Sequence, residues 1–151
     1  MEIVYTVGYA GRSVHGLCEL LKSFGITHVA DCRHVPYSRA FPEYVREELE
    51  RSIPAEGLKY VYLGTELGGM SEHHDPAAFA RGIQSVVKAS ERHSICLMCP
   101  ENRPQDGHAV RLLGPALRTE GVEVLHIDEH GALISQEEAL ARRDPEQFEL
   151  F

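Results

Sequence analysis

The stretch FGITHVADCR, residues 24–33, decides how this chain folds. Before it, Val14, Leu17, Cys18, Leu21 and Phe24 recur at helical spacing, and the pattern stops at Gly25. A β-rich run starts at once. Glycine is the usual residue just past a helix end, because it enters the left-handed conformation without a Cβ clash. The same device returns as EGLKY at 56–60 and EGVEV at 120–124. Three helix–glycine–strand junctions describe βαβ units, and these build a mainly parallel sheet covered on both faces.

Working outward, strands are expected at residues 3–7, 26–33, 58–64, 94–99 and 122–127. Helices are expected over 14–24, with Ser13 as its N-cap, and over 42–53, 76–90 and 107–121. The expectation is one α/β, Rossmann-like, three-layer domain spanning 1–151, with a core over 1–130 and a C-terminal extension over 131–151. Its five-stranded, mainly parallel sheet would have the order 3-2-1-4-5. In the extension, Ser135 and Glu138 form the Ser-x-x-Glu signal of a short appended helix.

The net charge of −8 over 151 residues argues against binding duplex nucleic acid, which needs a broad basic surface. A local basic pocket for one phosphate or carboxylate remains compatible with it. No apolar run approaches the length of a membrane span. The chain begins in a strand-like run without a basic region or cleavage site, and carries four cysteines. The expectation is a cytoplasmic protein with free thiols. Nothing in the sequence fixes an oligomeric state.

Ligands of open parallel sheets bind at the carboxyl ends of strands, so the residues just past each strand are the candidates. In GYAGR, residues 8–12, backbone donors, a helix start and one arginine make either an anion cradle or a plain tight turn. Asp31 and Arg33, two apart, face the same way; they either pair with each other or flank a ligand. Cys96 and Cys99 have C-x-x-C spacing, but three residues along a strand point to opposite faces. Cys96 then reads as core. Cys99, at the strand end before Pro100 and Glu101, reads as a thiolate nucleophile with Glu101 or His108 carrying the proton, or as an inert thiol. His73-His74-Asp75 lacks the spacing of zinc frameworks, so no metal is expected there, and His126 reads as a core or rim residue.

Five segments in order, YTVGYAGRS, DCRHVPYSRAFPEY, YLGTELGG, LMCPENRP and GVEVLHID, resemble the DUF488 family, a set of domains of unknown function. The resemblance implies a compact α/β domain with its motifs at strand ends. Its motif residues fall on Gly8, Arg12, Asp31, Arg33, Pro36, Ser38, Arg39, Cys99, Glu101, Pro104 and His108. Two departures stand out. Asp31-Cys32-Arg33 replaces the family's D-V-R, and Gly107-His108-Ala109 replaces its C-H-R. A two-thiol mechanism would then need Cys32 as redox partner.

These readings together expect an enzyme acting on a small phosphate-bearing or nucleotide-like substrate, by N-glycosyl hydrolysis or group transfer. Cys99, Glu101, Asp31 and His108 would be catalytic; Gly8, Tyr9, Gly11, Arg12, Arg33, Ser38 and Arg39 would bind the anionic ligand. No cofactor is expected. The alternatives are a ligand-binding or sensing module without turnover, and a thiol-redox or metal-binding protein using Cys32, Cys99 and His108.

Overall fold

The computed structural model of the protein describes residues 2–68 and 75–143. It is an α/β structure with a mixed, mostly parallel sheet. In chain order it contains β1 (Ile3–Gly8), α1 (Val14–Ser23), β2 (His28–Asp31), a 3₁₀ turn (Pro42–Tyr44), α2 (Arg46–Ala55), β3 (Lys59–Tyr62), α3 (Gly64–Leu67) and α4 (Pro76–Ser90). Then follow β4 (Ile95–Cys99), a second 3₁₀ turn (Pro104–Asp106), a π-helix (Ala109–Leu113), α5 (Gly114–Thr119), β5 (Glu123–Ile127), β6 (Leu133–Ser135) and α6 (Gln136–Ala141). The three junction glycines, Gly25, Gly57 and Gly121, all have positive φ, as the helix-stop reading requires. Ser13 accepts from the Gly16 amide and Ser135 from the Glu138 amide, so both expected caps form.

Two expectations about the sheet are corrected. The sheet has six strands rather than five, because three residues after the β5 turn fold back as antiparallel β6. The order is β3-β2-β4-β1-β5-β6, so β4 lies between β2 and β1 instead of outside β1. Burial gives the reason. β4, ICLMC, is buried at every residue, so it needs a neighbour on each edge and a helix on each face. β3, KYVY, alternates between exposed and half-buried and takes the edge.

The crossovers follow from this order. From β1 through β2 to β3 the chain moves one way, and α1 and α2 pack on one face: Leu17, Leu21, Leu49 and Ile53 cluster there with Val7, Val29 and Met98. From β3 through β4 to β5 it moves back, and Ile83 of α4 and Leu117 of α5 cluster on the other face with Ala30, Leu97 and Val124. Right-handed crossovers demand that change of face when direction reverses. No described helix is long and apolar enough to cross a membrane.

Candidate functional site

The interleaved order sends the chain to opposite faces on leaving neighbouring strands. β1 and β2 feed helices on one side, while β4, between them, feeds the π-helix and α5 on the other. Crevices in parallel sheets open at such places. The three polar strand ends singled out in the sequence therefore meet at one edge. Alternation along each strand then divides their side chains between the two faces.

On the α1/α2 side stands a closed polar cluster. Asp31 and Arg33 are both buried, and Arg33 Nε and Nη2 donate to the two Asp31 oxygens at 2.9 and 2.7 Å. The Arg33 amide donates to Asp31 Oδ1 at 3.1 Å, and the Tyr60 hydroxyl to Oδ2 at 2.6 Å. The guanidinium lies 5.0 Å from the centre of the Tyr9 ring, and Tyr9 stacks on Tyr44 at 4.4 Å. Burial alone would lower the Arg33 pKa, but the Asp31 bonds and charge outweigh it and the value is raised. Arg33 is thus a fixed cation, and Asp31 is its counter-ion. One donor is left over: Arg33 Nη1 is buried without a hydrogen-bond partner.

On the α4/α5 side are Cys32, Cys99, Glu101 and His108. Cys96 and Cys99 fall into the cores on opposite faces, so the C-x-x-C is split by the sheet, as its spacing implied. All four cysteines are free and buried. Burial, with Glu101 and Asp31 nearby, pushes the Cys99 thiol well above its ordinary range, and burial does the same to Cys32. Neither is primed as a thiolate.

Glu101 is exposed, and its position depends on two glycines. A Cβ on Gly8 would stand 1.8 Å from the Glu101 carbonyl oxygen, so only glycine lets the 100–102 loop cross the end of β1. A Cβ on Gly107 would stand 2.4 Å from Glu101 Oε2, so the carboxylate occupies the space a side chain there would take. Next to it, His108 has a buried Nε2 without a partner. Its pKa is lowered, chiefly by burial, while Glu101 and a hydrogen bond with the Cys32 backbone pull the other way. With Nε2 unpartnered, Nδ1 engages that backbone. Neutral at pH 7, the ring then presents its Nε2 lone pair.

The GYAGR turn is less open than a cradle. The amides of Tyr9 and Ala10 donate to the carbonyls of Cys99 and Pro100 at 3.0 and 3.1 Å, extending the β1–β4 ladder. The Arg12 amide closes the turn on the Tyr9 carbonyl at 3.0 Å. Arg12 itself reaches sideways, where Nη2 donates to the Asp128 carbonyl at the end of β5. Gly11, at φ +78°, is exposed beside Asn102. Ser38 accepts from the Phe41 amide at 3.1 Å and shapes the loop after β2, while Arg39 is exposed.

The edge therefore brings together Cys99, Glu101, His108, Cys32 and Gly8. It holds Asp31, Arg33 and Tyr9 apart on the other side, and it turns Arg12 towards β5. Sequence reading missed Tyr60, which the β2–β3 register sets opposite Val29 and so on the face of Asp31. The alternation of KYVY was the available signal. Among the described residues, Cys32, Cys99 and His108 do not converge as metal ligands; His15, Glu19 and Glu56 do, on the exposed side of α1. His73 and His74 lie outside the described residues.

The family model described as a domain of unknown function, DUF488, matches residues 13–78, which bears out the resemblance read from the sequence. No curated protein and no solved structure matches the chain.

Proposed function

We propose, for a chain that matches DUF488 over residues 13–78, that the β1/β4/β2 edge binds a small anionic, nucleotide-like ligand and acts on it through Glu101 and His108. The observation that carries this reading is the His108 Nε2, buried and unpartnered beside an exposed carboxylate. A buried polar atom without a partner is costly, and it is retained where something else is to occupy its place. On the other side of the sheet from Glu101 and His108, Arg33 keeps a buried Nη1 without a hydrogen-bond partner, which supports an anion that reaches over the end of β2.

The chemistry that suits this pair is N-glycosyl hydrolysis. The C–N bond breaks with its electrons leaving on the base, and Glu101 faces the developing oxocarbenium ion. Water adds to that carbon and passes its proton to His108 Nε2, while the departing base takes a proton from solvent. Cys99 lines the site, and Asp31 holds Arg33. These two roles replace the catalytic ones expected from the sequence.

The test is a thermal-shift screen with AMP, ribose 5-phosphate and inorganic phosphate, followed by product assays on whichever ligand shifts. A ligand that binds only the folded state raises its melting temperature. The expected result is a shift with AMP that His108→Ala abolishes, with release of adenine. A shift without product in any condition favours recognition without turnover; no shift with any of the three removes the proposal.

A further inference from the structure

His126 of β5 sits in a buried chain of hydrogen bonds that the edge chemistry does not use. The Thr6 hydroxyl lies 2.6 Å from His126 Nδ1, His126 Nε2 lies 2.6 Å from Gln136 Oε1, and Gln136 Nε2 donates to the Val110 carbonyl at 2.8 Å. The directions are fixed from the far end. A carbonyl only accepts, so the amide nitrogen of Gln136 faces Val110 and its oxygen faces His126. Nε2 of His126 therefore carries the proton, and Nδ1 accepts from Thr6.

Val110 needs that donor. In the π-helix the Gly114 amide bonds to Ala109, five residues back. The corresponding partner for Val110 is residue 115, which is proline and has no N–H. Val110 is fully buried, so water does not replace the missing donor. Gln136, the first residue of α6, supplies it. The Val110 side chain is held from the same quarter, packed with Ile134 of β6 and Ala139 of α6. Gly114 makes the room: a Cβ there would lie 2.2 Å from Gln136 Oε1.

We infer that Gln136 is a positioning residue for the edge site: by replacing the donor that Pro115 lacks, it holds the π-turn that begins beside His108 and sets that ring against Glu101. The C-terminal extension is then a working part of the site. This rests on the assignment of Glu101 and His108 as the reacting pair, but its test does not use a ligand.

The experiment follows the imidazole titrations of the full-length protein by NMR in Gln136→Glu and Gln136→Met. The first keeps an acceptor for His126 and removes the donor to Val110; the second removes both. The expected result is that the His108 midpoint rises towards its ordinary value in both, as the loosened turn exposes the ring, while that of His15 on α1 stays in place. A His108 titration unchanged in folded variants overturns the inference. Adding Pro115→Ala to Gln136→Met restores a backbone N–H beside the Val110 carbonyl. Recovery of the melting temperature and of the His108 midpoint is expected, and no recovery overturns the account of the missing donor. Neither outcome depends on AMP binding, so the two proposals fail separately.

Discussion

Arg33 and Asp31 form a two-pronged ion pair, at 2.9 and 2.7 Å, with side chains 2 and 0% exposed. The pair sits at the mouth of the sheet but is closed on itself, with Tyr60 capping the second carboxylate oxygen. A buried pair of this kind contributes little net stability over an apolar replacement, yet removing one partner strands a charge. Asp31→Ala should therefore destabilise the fold by about 3–5 kcal/mol in denaturant titration. Asp31→Asn should cost less, because the amide oxygen still accepts from Arg33. If both variants unfold as wild type does, the pair is not holding Arg33.

Cys99 separates a thiol mechanism from the one proposed. Its thiol is buried and its pKa raised by that burial, so it should stay unlabelled by iodoacetamide at pH 8 in the native protein. All four cysteines should react after unfolding. Cys99→Ala should retain ligand-induced stabilisation by AMP, at a cost of about 1 kcal/mol for the small cavity. Rapid native labelling of Cys99, or loss of AMP binding in Cys99→Ala, would return the thiol to the chemistry.

The α/β class and its helix stops were legible because glycine junctions and caps are local. Gly25, Gly57, Gly121, Ser13 and Ser135 each act within a few residues of themselves. The place of β4 was partly legible: an apolar run buried on both faces belongs at the centre of a sheet, although crossover rules alone allow several orders. The site was legible as a set of residues and not as a grouping. Which face Asp31, Cys99 and His108 take depends on register between strands far apart in sequence. The π-helix lay beyond reach, since AVRLLGPALR reads as an ordinary helical pattern, and the donor that meets the Val110 carbonyl in place of Pro115 is Gln136, 26 residues further along the chain.

Gly8 and Gly107 both touch Glu101, and they should differ sharply. At Gly8 the obstruction is backbone, the Glu101 carbonyl at 1.8 Å, which moves only with the β4 loop. Gly8→Ala should cost about 3 kcal/mol, the upper part of the overpacking range. At Gly107 the obstruction is the end of a side chain, Oε2 at 2.4 Å, and the backbone φ of −123° suits any residue. Gly107→Ala should cost about 1 kcal/mol or less while turning the Glu101 carboxylate away. Its AMP-induced thermal shift should fall, as in Glu101→Gln. Equal stability losses in the two variants would contradict this placement of Glu101.

Acid should destabilise the protein through histidines whose pKa desolvation lowers, the buried His126 and the half-buried His28 and His108. Burial is the leading cause that lowers the pKa of His28, His108 and His126 from the ordinary 6.5. The unfolded chain then binds protons that the native state refuses, so stability rises with pH through that window. The contribution is fully present above about pH 6.5 and declines as pH falls from there towards the folded values. His15 works in the opposite sense, because its bond to Glu56 raises its pKa, but it is exposed and solvent screens it. A second loss belongs to Asp128. Burial alone would raise its pKa, yet bonds from Ala132, Arg142 and His130 outweigh that and lower it, so its stabilisation is lost only in stronger acid. Melting temperature measured from pH 8 to 3 should therefore fall in two stages. His108→Asn should make the first stage shallower and leave the second unchanged; a flat profile down to about pH 5 would show that these histidines are not held neutral by burial.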